Sequence, residues 1–145
     1  MRVVLVTPYA YYAEGVEGTV YPPMGLLYVG AAAREAGISE ILILDANRLR
    51  SLPGATLRRI VAFKPDVVGL SVNVITARAA RELAMLLRKA LPHSVLVAGG
   101  PLPTVSPEAW LPDVDAVVRG EGERPFAALL SSIGRGRLQD ASAIP

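Results

Sequence analysis

Cysteine is missing from all 145 residues, and histidine occurs once, as His93. The first absence excludes disulfides, thiolate zinc and any cysteine-ligated iron–sulfur cluster within this chain. The second excludes a site that needs two imidazoles. Charge is sparse: 15 Lys and Arg against 13 Asp and Glu leave a net charge of only +2. The arginines are spread along helical patterns without interleaved exposed aromatics, so nucleic acid is not an expected partner. Hydrophobic residues make up 52% of the chain and mean hydropathy is +0.39. Even so, no uninterrupted apolar run approaches the ~18 residues that span a bilayer, and no membrane partner is expected. The opening MRVVLVTP has one charged side chain and a short apolar run that stops at proline. It reads as a first strand and not as a signal peptide, and the expected location is cytoplasmic.

What is present is the pattern of one α/β domain. Five short apolar runs, Val3–Val6, Ile41–Leu44, Asp66–Ser71, Val95–Ala98 and Ala116–Val118, alternate with helical periodicity. That alternation predicts a parallel sheet with helices on both faces and its strands buried on both sides. Asp66–Ser71 is the expected centre. Pro22-Pro23 opens a helix over Met24–Ala36 that Gly37 ends. Its first ten residues, MGLLYVGAAA, are apolar all round, which predicts burial on most sides near its start. A second helix carries Leu57, Ile60 and Val61 on one face and stops at Lys64-Pro65. A third runs from Thr76, a good N-cap, to about Ala90, with Ala80, Leu83, Ala84, Leu87 and Leu91 inward. A short helix is expected at Pro107–Leu111 behind Ser106. Pro125 opens the last helix, whose core face is Phe126, Leu129, Leu130 and Ile133. The Tyr9–Tyr21 loop, with Tyr9, Tyr11, Tyr12 and Tyr21, is long for a strand-to-helix connection, which points to a task.

In open parallel sheets a ligand lies beyond the carboxyl ends of the strands. Those ends read Thr7-Pro8, Asp45-Ala46-Asn47, Ser71-Val72-Asn73, Gly99-Gly100-Pro101 and Arg119-Gly120-Glu121. Small, polar and glycine residues make this edge a shelf for something large and flat. Gly99 and Gly100 permit close approach and positive φ, and Pro101 and Pro103 brace the loop that follows. Familiar tenants fail in turn. Strand one is followed by TPYAYY, without the glycine fingerprint of a nicotinamide domain, and a P-loop is absent. Threonine and serine stand where a phospho-acceptor receiver needs acids. Flavin mononucleotide has only Thr7 in its favour. Ser71 sits in GLSV, not in a nucleophile elbow, and His93 belongs to the opposite end of the sheet. Ser71 is better read as a hydrogen-bonding group for a ligand, and Glu121 and Glu123 as caps for nearby amides.

Four motifs in order, Pro22-Pro23-Met24-Gly25-Leu26-Leu27-Tyr28, Pro65-Asp66-Val67-Val68-Gly69-Leu70-Ser71, Gly99-Gly100-Pro101-Leu102-Pro103-Thr104 and Val118-Arg119-Gly120-Glu121-Gly122-Glu123, resemble the N-terminal cobalamin-binding domain of B12-dependent radical SAM enzymes. The resemblance covers nearly all of residues 1–133, with 134–145 as a linker toward a radical SAM barrel. It implies a flavodoxin-like, doubly wound five-stranded sheet of order 2-1-3-4-5 that holds cobalamin on its carboxyl edge. The nucleotide tail would thread between sheet and helices. Ser71 and the loop Asn73–Thr76 would contact it, Gly99 and Gly100 would give it room, and Pro101 and Pro103 would belong to the same binding loop. Thr7, Pro8, Tyr9 and Gly25 would face the corrin, with Gly120, Glu121 and Gly122 closing the other side. Where related cobalamin domains carry D-x-H-x-x-G with a cobalt-ligating histidine, this chain has Pro8-Tyr9-Ala10-Tyr11-Tyr12-Ala13, so no protein imidazole is expected on cobalt. Leu102 replaces the histidine of many relatives. S-adenosylmethionine and a four-iron cluster would belong to the barrel alone, because this chain has no cysteine. The resemblance implies a module of a methyltransferase-type enzyme, not catalytic by itself. Two other readings stay open: an interaction domain with a degenerate site, homodimeric through an exposed shelf, and a flavin carrier.

Overall fold

A computed structural model describes residues 1–10 and 21–135. Five parallel strands, β1 (Arg2–Thr7), β2 (Glu40–Asp45), β3 (Val67–Ser71), β4 (Val95–Gly99) and β5 (Ala116–Val117), lie in the order β2-β1-β3-β4-β5. The expected flavodoxin-like order is therefore the observed one, with β3 at the centre. Five helices connect or follow them: α1 (Met24–Glu35), α2 (Pro53–Phe63), α3 (Ala77–Ala90), α4 (Pro101–Val105) and α5 (Glu123–Gly134).

Strand residues alternate between two cores, as a period of two requires. Val4, Val6, Leu44, Val68, Leu70, Leu96 and Ala98 face α2 and α3, together with Ile60, Leu83, Leu87 and Trp110. Val3, Leu5, Val67, Val97, Ala116 and Val118 face the other way, against Leu26, Ala33, Phe126, Leu129 and Leu130 of α1 and α5. Gly30 brings α1 close to the sheet, since a Cβ there would stand 3.0 Å from Ile43 Cδ1. Gly37, at φ 95°, ends α1 as expected, and Ile38 N–H donates back to Ala33 O.

Five expectations need correction. The start of α1 is not buried on most sides: Met24, Leu27 and Tyr28 are exposed, because only the Leu26, Gly30 and Ala33 stripe meets the sheet. The braced loop after β4 is a helix. Pro101 occupies its first turn, where no backbone donor is needed, and Pro103 is buried within it. Thr76 stands before α3 but makes no side-chain cap to it; its hydroxyl turns back to Asn73. The last helix begins at Glu123, before Pro125, with neither Glu121 nor Glu123 capping its amides. Behind Ser106 the short helix is a 3-10 turn over Pro107–Ala109. Most of the Tyr9–Tyr21 loop, including Tyr11 and Tyr12, and residues 136–145 of the expected linker lie outside the described residues.

Candidate cofactor site

Each of the first four strands ends on a residue that belongs to the α1/α5 face. Thr7 pairs in register with Asp45, and Ser71 with Gly99. The β1–β3 register runs up to Val6 opposite Leu70, so Thr7 and Ser71 come next in the same row. Asp45, Thr7, Ser71 and Gly99 thus form one line across the carboxyl edge, three polar groups and a glycine. The parity of the strands produces this line. Had any strand ended one residue earlier, its last side chain would lie in the other core.

Two clefts meet at that row. The first, with about 650 Å³ of empty space, runs between the sheet and helices α1 and α5. Leu5, Gly69 and Val97 form its floor, Leu26, Val29 and Phe126 its apolar roof, and Gly25, Gly99, Gly100, Gly120 and Gly122 its walls. The second, with about 740 Å³, is more polar and opens over β1, β2 and β3. Thr7, Asp45, Asn47, Asn73 and Thr76 line it. Gly25, Leu26 and Ser71 border both. The glycines do different work. A Cβ at Gly25 would meet nothing within 4 Å, and one at Gly99 would lie 3.7 Å from Val118, so both positions are open toward the channel. Gly100, at φ 105°, is required by the chain itself: a Cβ there would stand 2.7 Å from Val72 O.

The hydroxyl of Thr7 is buried without a hydrogen-bond partner among the described residues, an arrangement that costs about 1–3 kcal/mol unless something bonds to it. Asn73 and Thr76, in contrast, bind each other. Asn73 Oδ1 accepts from the backbone N–H of Ile75 and of Thr76, both at 2.9 Å, while Asn73 N–H donates to Thr76 Oγ1 at 3.0 Å. This clamp fixes the β3–α3 loop and holds Val74 and Ile75 outward, 79% and 52% exposed. Among the described lining residues the charged groups are Asp45, Glu121 and Glu123, and no cation lines either cleft.

Of the residues expected at the site, Thr7, Gly25, Ser71, Asn73, Thr76, Gly99, Gly100, Gly120, Glu121 and Gly122 line one cleft or both. Pro8, Tyr9, Pro101 and Pro103 do not: Pro101 is exposed at the start of α4, and Pro103 is buried inside it. Gly69, Val29 and Phe126 were missed. A glycine in the middle of the DVVGLS strand signals close approach over the sheet, whereas Val29 and Phe126 look like ordinary core. His93 is exposed in the turn before β4, at the amino end of the sheet, about 20 Å from the row at ~3.3 Å per residue. Among the described residues no cluster of His, Cys, Asp and Glu is arranged to hold a metal ion.

A doubly wound α/β sheet with a polar row and two clefts at its carboxyl edge has its open space where such folds bind ligands. Residues 15–130 match the family model of the B12 binding domain, and the chain belongs to that family. It is 33% identical over 142 residues to an uncharacterized methyltransferase of Pyrococcus horikoshii, covering 94% of this chain and 30% of that protein. It is 29% identical over 143 residues to the anaerobic magnesium-protoporphyrin IX monomethyl ester cyclase of Rubrivivax gelatinosus, covering 94% of this chain and 25% of the cyclase. The chain therefore spans under a third of the length of these relatives. Among solved structures, the radical S-adenosylmethionine methyltransferase TsrM of Kitasatospora setae has the same fold with a TM-score of 0.81 at 24% identity, covering 99% of this chain and 27% of TsrM. The cobalamin-dependent radical enzyme OxsB, with aqua-cobalamin and S-adenosylmethionine bound, superimposes with a TM-score of 0.79 at 18% identity, over 94% of this chain and 19% of OxsB. The residues present fit a cobalamin: a channel thinned by Gly25 and Gly99 has room for its tail, and the buried Thr7 hydroxyl has no partner among the described residues.

Proposed function

We propose that this chain is the cobalamin-holding module of a B12-dependent radical SAM enzyme of methyltransferase type, with residues 1–133 as the module and 134–145 leading toward the barrel. The observation that carries this reading is the glycine-walled channel that opens onto the polar row at the strand ends. Its dimensions suit an elongated tail entering beneath α1 and α5, beside β3 and β4. Ser71 and Thr7 would hydrogen-bond to the cofactor, Gly25 and Gly99 would admit it, and Gly120 to Gly122 would close the channel from the side of β5. Cobalamin, when bound, supplies the group-transfer or one-electron chemistry of its cobalt. The protein orients the corrin and excludes water from its tail. On this reading cobalt would take no histidine from this chain, which the position of His93 at the other end of the sheet supports. S-adenosylmethionine and the iron–sulfur cluster would belong to the barrel. A cytoplasmic location agrees with the absence, among the described residues, of any helix long and apolar enough to cross a membrane.

The test is equilibrium dialysis of the purified chain against hydroxocobalamin, with Gly99→Leu beside it. Leucine at this open position projects into the channel and should reduce affinity at least about a hundredfold, near 2.7 kcal/mol, while the urea midpoint stays close to that of the parent. Equal affinity of the two proteins would remove the channel from the site. The exposed Tyr21, Met24, Val74 and Val105 around the carboxyl edge favour self-association of this module when cofactor and barrel are absent. Size-exclusion chromatography with and without cobalamin measures that directly.

A further inference from the structure

The cations of this chain are unevenly placed. Residues 46–65 hold Arg48, Arg50, Arg58, Arg59 and Lys64 and no carboxylate, whereas the rest of the chain carries ten basic residues against thirteen acidic ones. A protein of net charge +2 therefore has a strongly positive surface on an acidic remainder. The fold concentrates it further. Arg50, Arg58 and Arg59 border one open concavity, with Leu49 and Ala55 between them. Arg2, Arg81 and Arg88 are each paired with a carboxylate; Arg48, Arg58 and Arg59 have none among the described residues. Leu49 and Leu52 stand exposed beside them, 48% and 54%. Arg50 holds a left-handed backbone at φ 46°, a conformation that non-glycine residues keep only where the surroundings impose it.

We infer that this surface docks a separate protein through an acidic segment that carries apolar side chains. Arginine with exposed leucine is the mixture that protein interfaces use. Nucleic acid would want aromatic platforms interleaved with the cations, and a lipid surface would want a continuous apolar face; two leucines give neither. The patch lies on the β2–α2 turn, at the carboxyl end of the sheet, and continues along α2 on the face covered by α2 and α3. The turn that carries Arg48 and Leu49 begins at Asp45 and Asn47, which line the polar cleft. A partner seated here stands next to whatever occupies that cleft.

The test is fluorescence anisotropy with a labelled 16-residue peptide of glutamates with leucine at every fourth position, titrated with the purified chain at low and high salt. Binding should weaken steeply as salt rises. Arg58→Glu with Arg59→Glu should weaken it by about tenfold or more, and Leu49→Ser by about threefold. Arg34→Glu with Lys89→Glu changes net charge equally but reverses exposed cations on α1 and α3; it should leave affinity within about twofold. All substituted side chains are exposed, and a thermal melt checks that each variant folds. The inference is overturned by equal losses in the two double variants, by no salt-dependent binding at all, or by tighter binding of a 16-nucleotide oligothymidylate or of phosphatidylglycerol vesicles than of the peptide.

Discussion

Replacing Gly100 by alanine should nearly unfold the carboxyl edge, although it adds a single methyl group. The backbone there has φ 105°, where an L side chain is strained by about 1–3 kcal/mol. The new Cβ would sit 2.7 Å from Val72 O and 3.1 Å from Val72 N, and these are backbone atoms that cannot rotate away. Val72 is held there by its N–H donating to Gly99 O at 2.8 Å and its carbonyl accepting from Leu102 N–H at 3.3 Å. Relieving the clash would separate the ends of β3 and β4 and lose the weaker of these bonds, worth about 1 kcal/mol, on top of an overpacking cost of about 1–3 kcal/mol. A total near 3–7 kcal/mol is a large part of the stability of one domain. In urea, with a slope of about 2 kcal/mol per molar, the midpoint should fall by about 2 M or more. Gly25→Ala is the counterpart: no atom lies within 4 Å of its Cβ and it occupies the first turn of α1. Its stability should be unchanged or about 0.5 kcal/mol higher. A Gly100→Ala midpoint within about 0.5 M of the parent, at unchanged slope, would refute the claim that Gly100 serves the backbone rather than the ligand.

Thr7→Val removes a buried hydroxyl without a partner among the described residues, so thermal stability should stay level or rise, whereas cobalamin affinity measured by dialysis should fall by about tenfold, the value of one hydrogen bond. Asn73→Ala deletes the acceptor for two backbone amides and should cost about 1–2 kcal/mol in a urea titration; Asn73→Asp should recover most of it. Arg81 lies 4.5 Å from the Trp110 ring, pairs with Asp113 and donates to Ala109 O. Because Arg81 is half exposed, Arg81→Ala should cost only about 1–2 kcal/mol. A double-mutant cycle with Asp113→Asn should show coupling that shrinks with salt.

The parallel sheet, the central place of β3 and the position of the ligand edge were legible because a parallel sheet announces itself in short apolar runs that end in small or polar residues; the strand order came only from the resemblance to a known family. Gly99 and Ser71 were legible for the same reason. Val29 and Phe126 were not, since nothing local distinguishes an apolar side chain that roofs a channel from one that fills a core. Gly100 was legible as a glycine of positive φ, but Val72, the backbone it must avoid, is known only once β3 and β4 are paired. The start of α1 shows the converse error. Its all-round hydrophobicity promised burial, yet Met24, Leu27 and Tyr28 are exposed, because periodicity reveals which residues are apolar and not whether a partner is present. Thr76 has the composition of a helix cap, but Asn73 three residues earlier offers its hydroxyl a competing bond.

The most direct measurement is a visible-spectrum titration of the purified chain with hydroxocobalamin, followed by desalting. One cobalamin retained per chain, with a spectrum that shows its own benzimidazole displaced from cobalt, is the result expected of a module that draws the tail into the channel beside Gly99. A folded chain that releases all cobalamin on the column, or retains it with the benzimidazole still on cobalt, would contradict it.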